Sequence, residues 1–157
     1  EESTEITYNI PTKTFDCEIY AGAGQNDITK ATHVGNITVD VDSQTITISL
    51  FEDFGLKEAH LYVGEEPLPT KQKGKGPNQL TVAPGQFPYK AENLDGAMNH
   101  TFTDITELNE EAYFIVHIEL TNGETGFAHC ENPTTFTEAS DNKIKRWGWT
   151  NLVSNNL

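Results

Sequence analysis

Five histidines, His33, His60, His100, His117 and His129, are the side chains best suited to moving a proton or holding a metal. None falls in an H-x-H or H-E-x-x-H spacing, and Cys17 and Cys130 are too far apart in sequence to form a zinc pair. His60 in His60-Leu61-Tyr62-Val63 and His117 in Tyr113-Phe114-Ile115-Val116-His117 sit in apolar strand contexts. Each therefore reads as a core imidazole tied to a backbone carbonyl; a site role would need a partner that the fold brings from elsewhere. There is no G-x-S-x-G nucleophile turn and no phosphate loop, and Gly22-Ala23-Gly24-Gln25 reads as a turn. Paired acids such as Glu65-Glu66 and Glu110-Glu111 are expected by chance among 24 carboxylates. A glycosidase needs two at a set separation across a cleft. The sequence assigns no catalytic residue and implies no cofactor. A hydrolase would require two carboxylates, or His60 and a carboxylate, to converge in a cleft.

Calcium is the cation such an acidic chain could hold. Asp40 and Asp42 would share the polar face of a strand, and Asp95 lies in the oxygen-rich loop Asn93-Leu94-Asp95-Gly96. Neither stretch has the twelve-residue EF-hand pattern, and ordinary turn and surface acids explain both. Flat aromatic rings stack on sugars when exposed beside polar groups. Trp147 and Trp149 are two residues apart and would share one strand face; Phe87 and Tyr89 repeat the spacing in a Pro-rich segment. These four are the ligand-binding candidates, with core packing the competing role.

The chain of 157 residues carries 24 acidic and 10 basic residues, a formal net charge of −14. Such a surface repels nucleic acid and anionic lipid, which excludes nucleic-acid partners. A glycan or a surface protein fits better. No apolar run approaches a transmembrane helix. The Glu1-Glu2-Ser3-Thr4-Glu5 opening would suit a tether after a cleaved export or lipoprotein signal, so a lipid anchor upstream of residue 1 is compatible, as is a plain solvated terminus. Cys17 and Cys130 are either one disulfide or two buried thiols.

The elements that must position these residues read as strands. Ile37, Val39 and Val41 alternate with Thr38, Asp40 and Asp42; after Ser43-Gln44 the alternation resumes at Ile46, Ile48 and Leu50. Period-two patterning with β-branched residues and a short polar turn predicts an antiparallel hairpin. Further strands are predicted at 15–21, 60–63, 99–105, 112–120, 124–130 and 145–150, with Asn122-Gly123 turning one into the next and a short turn over 107–111. Helical periodicity is otherwise thin. The reading is all-β, an antiparallel β-sandwich of jelly-roll or immunoglobulin-like type rather than a barrel. Residues 1–14 would form a tether or first edge strand, and 15–157 one domain. The segment 65–89 is long for a connection, hence functional or mobile, and Lys71, Lys73 and Lys75 are read as keeping it soluble, with a basic binding site the lesser alternative.

Several segments occur in an order that resembles a module of bacterial, Bacteroidetes-type lipoproteins and adhesion-like surface proteins. They are Tyr20-Ala21-Gly22-Ala23-Gly24-Gln25, Val34-Gly35-Asn36-Ile37-Thr38-Val39, His60-Leu61-Tyr62-Val63-Gly64, Pro84-Gly85-Gln86-Phe87-Pro88-Tyr89, Tyr113–His117, Glu124-Thr125-Gly126-Phe127-Ala128 and Trp147-Gly148-Trp149. Ala23 is an insertion and Ile118 a departure from that order. The resemblance implies a β-sandwich placed outside the cytosol and brings no activity. The expectation is a secreted or cell-surface, non-catalytic binding or adhesion module recognising a glycan or protein through the 65–89 segment and exposed aromatics. The alternatives are a structural spacer of a larger surface protein and, third, a polysaccharide hydrolase.

Overall fold

The computed structural model describes residues 13–72 and 74–157. The tether expected over residues 1–14 falls outside them up to residue 12, and Thr14 already begins a strand. The chain forms β1 (Thr14–Ala21), β2 (Thr32–Asp40), β3 (Thr45–Leu50), β4 (Leu56–Gly64), β5 (Thr70–Gln72), β6 (Asn78–Leu80), β7 (Tyr89–Ala91), β8 (Asn99–Phe102), β9 (Tyr113–Leu120), β10 (Thr125–His129) and β11 (Thr134–Thr135). A one-turn helix α1 (Phe136–Ala139) and β12 (Trp149–Leu152) complete it. Pairing is antiparallel throughout.

The main sheet runs β7-β4-β9-β10-β1-β2-β3-β8. β4 covers one edge of β9 along its length; the other edge is shared by β10 and by β12, which carries β11. The sheet then curls back on itself. Leu56 donates its N–H to the Ala97 carbonyl at 2.8 Å, joining the start of β4 to the chain leading into β8, and Leu50 at the end of β3 donates to the Met98 carbonyl at 2.8 Å. The result is a nearly closed, barrel-like antiparallel sheet. β5 and β6 form a separate hairpin inside the long 65–89 segment.

Strand alternation explains how this sheet fills its interior. Ile37, Val39, Ile46, Ile48, Leu61, Val116 and Ile118 are each fully buried in the main core. Burying one such side chain contributes about 1.5–3 kcal/mol. The alternate residues of β4, β9, β10 and β12 face outward, yet they too are covered. Tyr62, Ile115, Phe127 and Trp149 form a second cluster with Leu68, Val82 and Phe87 from the long segment and Phe136 from α1. The sheet is thus apolar on both faces in this region, and the long segment is one of its coverings. α1 exists because Thr135 caps it: the Thr135 hydroxyl accepts from the Glu138 N–H at 3.1 Å, and Glu138 accepts in return from the Thr135 N–H at 3.4 Å.

Two strand expectations shift, the first being the predicted 99–105 strand, which ends at Phe102. The predicted 145–150 strand begins only at Trp149, since Gly148 at φ +142 breaks the extended run. The short turn expected near 107–111 is present, closed by the Leu108 N–H on the Ile105 carbonyl and the Ala112 N–H on the Asn109 carbonyl, each at 3.1 Å. Asn151, fully buried, ties the β9, β10 and β12 region together. Its carbonyl accepts from the Cys130 N–H at 3.0 Å, and its amide donates to Ala128 at 3.2 Å and Phe114 at 3.5 Å.

Candidate functional site

The outward face of β4 and β9 is apolar at one end and polar at the other. Following Tyr62 and Ile115, the same face carries His60 and His117, then Glu58 and Glu119. Register places them in rows. His60 lies opposite His117 on β9 and opposite Lys90 on β7. Glu58 lies opposite Glu119, and the Ala59–Ala91 pairing brings Glu92 to its other side. Both histidines are buried, at 6% and 7% exposure, and their Nδ1 atoms are 3.3 Å apart.

Burial sets the protonation of this row. It pushes the His117 imidazole down to about 3, with the neighbouring His60 and Arg146 adding to the effect. Burial also lowers His60, against the pull of the Glu92 carboxylate. The two rings are therefore a neutral pair in which one Nδ1–H donates to the other. Glu58 is raised, chiefly by its hydrogen bond to the Glu119 carboxyl, and Glu119 is lowered by that same bond. The shifts are opposite because neighbouring negative charges disfavour full ionisation of both carboxyls. Among the described residues, Glu58, His60 and Glu92 are the group whose potential metal-ligating atoms converge, all within 4.8 Å of one another.

Beyond His117 the face opens into a cleft of about 160 Å³, lined by Val82, Thr125, Phe127, Phe136, Arg146 and Trp147. It continues into a shallow groove of about 350 Å³ between the 80–83 stretch and the 143–146 stretch. Lys71, Lys143, Lys145 and Arg146 line that groove with Leu80 and Ile144. None of the four cations forms an ion pair among the described residues. Leu80 is 39% exposed. A chain of net charge −14 thus gathers four cations and exposed apolar surface along one groove.

The aromatics separate. Trp149 is 2% exposed and Phe87 is 1% exposed, both within the outer cluster, so neither ring has a free face. Tyr89 is half-buried against the main core, and its hydroxyl donates to Glu107. Trp147 is half-buried, edge-on to Phe127 at 4.9 Å and to Trp149 at 5.7 Å, and borders the cleft. Although Trp147 precedes the strand, the two tryptophans still meet.

The aspartates do not gather. β2 ends at Asp40, so Asp42 lies in the following turn instead of on a shared strand face. Both Asp40 oxygens are engaged by Ser43, through its N–H and its hydroxyl, each at 3.0 Å. Asp95 occupies the 93–96 turn at φ +49. Cys17 and Cys130 form a disulfide with Cα atoms 4.8 Å apart. The bond lies across β1 and β10, one step beyond the Glu18–His129 pair, where antiparallel geometry brings opposite Cα atoms close enough to bridge.

Sequence reasoning named His60 and His117 but gave them no partners, because 57 residues separate them. It also missed the groove, whose cations come from segments some 70 residues apart in sequence (an order-of-magnitude separation that no local pattern reports). Among the described residues, no helix is long and apolar enough to cross a membrane. The chain matches no known protein family, no curated protein and no solved structure.

Proposed function

We propose that this chain is a non-catalytic binding module of a secreted or surface-anchored bacterial protein, taking an acidic glycan into the groove between residues 80–83 and 143–147. Its nearly closed sheet serves as the β-sandwich scaffold of the lipoprotein and adhesion modules it resembles. The observation that carries the reading is the groove itself: Lys71, Lys143, Lys145 and Arg146 without ion-pair partners, beside exposed Leu80 and ending at Trp147. Cations left unpaired on a strongly acidic protein attract an anionic ligand and raise its local concentration. Arg146 offers a planar fork that matches carboxylate or sulfate groups, and Trp147 offers an edge or face to a sugar ring. A shallow, open groove suits a polymer better than a small molecule. The Cys17–Cys130 bond supports placement outside the reducing cytosol.

Tryptophan fluorescence titration against uronate-containing and sulfated oligosaccharides tests this, alongside neutral ones. Saturable binding that weakens with salt, and that is lost in a Lys143→Glu/Lys145→Glu variant, is the expected result. Absence of saturable binding to every acidic glycan at low salt would sink it. The burial of Phe87 and Trp149 favours a second reading, a spacer with no ligand of its own, and that negative result is what the spacer predicts.

A further inference from the structure

We propose that Glu58, His60 and Glu92 form a binding site for one divalent cation of the zinc type. Two come from β4 and the third from the residue just after its neighbour β7. Glu58 and His60 are two apart on β4 and share its outward face; Glu92 follows β7, opposite Glu58 in the register. One ring nitrogen of His60 and one oxygen of each carboxylate lie within 4.8 Å of one another. An ion with bonds of about 2.0–2.2 Å needs these atoms to close in by roughly an ångström. Glu92 is exposed and Glu58 half-buried, so their side chains have room to swing.

Two further observations point to a cation here. The first is the carboxylate row itself. Glu92, Glu58 and Glu119 stand side by side across three strands, a juxtaposition of like charges that ordinarily destabilises a sheet. Lys57 pairs with Glu119 at 3.4 Å, but Glu58 and Glu92 form no ion pair among the described residues. The second is His60. It is 94% buried by its 6% exposure, and its hydrogen bond goes to His117 through Nδ1. Its other ring nitrogen makes none. Where the proton of this contact sits on His60 Nδ1, the second nitrogen has a lone pair free for an ion. His117 then orients the ring from behind, as hydrogen-bond partners of metal-bound histidines do.

The donor set selects the ion. One imidazole and two carboxylates suit zinc or cobalt in a tetrahedral site whose fourth position is filled by water. Calcium requires six to eight oxygen ligands and is poorly served by an imidazole.

Titration of the chelator-treated chain with zinc, followed by calorimetry, and with cobalt, followed by visible absorption, tests the site. The expected result is one ion per chain, cobalt bands of a four-coordinate site, and no competition from millimolar calcium. Glu58→Gln and Glu92→Gln should each weaken zinc binding at least about tenfold while circular dichroism shows the fold retained. No saturation by zinc up to the millimolar range, or unchanged affinity in either variant, would overturn the proposal.

Discussion

Reducing the Cys17–Cys130 bond should cost this domain a large share of its stability. The bond joins strands that the sheet already pairs, so its effect falls mainly on the unfolded chain. It closes a loop with a sequence separation of 113 residues. In the chain-entropy treatment a loop of that length restricts the unfolded ensemble by about 5 kcal/mol. Folded domains are typically stable by about 5–15 kcal/mol, so reduction removes from a third of the stability to nearly all of it. For a chain of this size the melting temperature should fall by about 10–20 °C. Both cysteines are buried, at 4% and 6% exposure, so the bond must be reduced in denaturant and the protein refolded with reductant. Urea unfolding of the oxidised and reduced wild-type chain is the cleanest assay, because both forms keep the same side chains in the core. A Cys→Ala pair would add the cost of lost packing. The expected outcome is a midpoint shifted to lower urea. If the two forms differ by less than about 1 kcal/mol, the loop-closure argument fails, since its logarithmic dependence on length cannot produce so small a value for so long a loop.

Asn151→Leu should destabilise by about 2–4 kcal/mol in urea unfolding, because it strands the buried Cys130 N–H and two carbonyls; a loss below about 1 kcal/mol would contradict the bridging role. Gly148→Ala should cost about 2–4 kcal/mol, because a Cβ there would lie 2.2 Å from the buried Phe136 ring and φ is +142; an unchanged melting temperature would refute it. Tyr20 should titrate late in absorbance at 295 nm, since its hydrogen bond to Glu18, with burial and the Glu18 charge, raises it from 10.0 to about 12. The stability it contributes is fully present below the unfolded value and lost as pH rises through the folded one. Glu18→Gln should bring that titration back toward the ordinary tyrosine range. All tyrosines titrating together in the wild-type chain would be the contrary result.

How much of this fold the sequence showed depends on how local its determinants are. The β2–β3 and β9–β10 hairpins were legible because alternation and turn chemistry are written within a dozen residues. Ile46, Ile48 and Leu50 all turn inward, and Gly123 at φ +90 closes the second turn. Strand alternation was less informative on β4 and β9, where both faces are covered. Their near-continuous apolar runs say that the strands are central without saying what covers them. The covering segment, 65–88, reads as a loop because its prolines and glycines suppress any period. Yet Leu68, Val82 and Phe87 anchor it in the outer cluster. That is also why Phe87 misled: its composition suggests an exposed loop aromatic, while its contacts make it core. Gly148 hid the other boundary, since a positive φ is not visible in Trp147-Gly148-Trp149 as text.

The candidate sites failed to show for a different reason, which concerns averaging. A net charge of −14 describes the whole surface and argues against a basic site. Charge acts over about a Debye length, roughly 8–10 Å at physiological salt, so what a ligand meets is the local sum. The fold sets Lys71 beside Lys143, Lys145 and Arg146 within one groove, and it sets Glu92, Glu58 and Glu119 in one row. It has therefore segregated charge that the composition had blended. Asp40 and Asp42 are close in sequence, and Asp40 turns back to hold Ser43, as a turn acid does. Nearness along the chain predicts turn capping better than ligand convergence, because capping needs a few residues and convergence needs several strands. On an antiparallel sheet the informative spacing is the cross-strand register, and the Glu58, His60 and Glu92 group is readable from it once the partner strands are known.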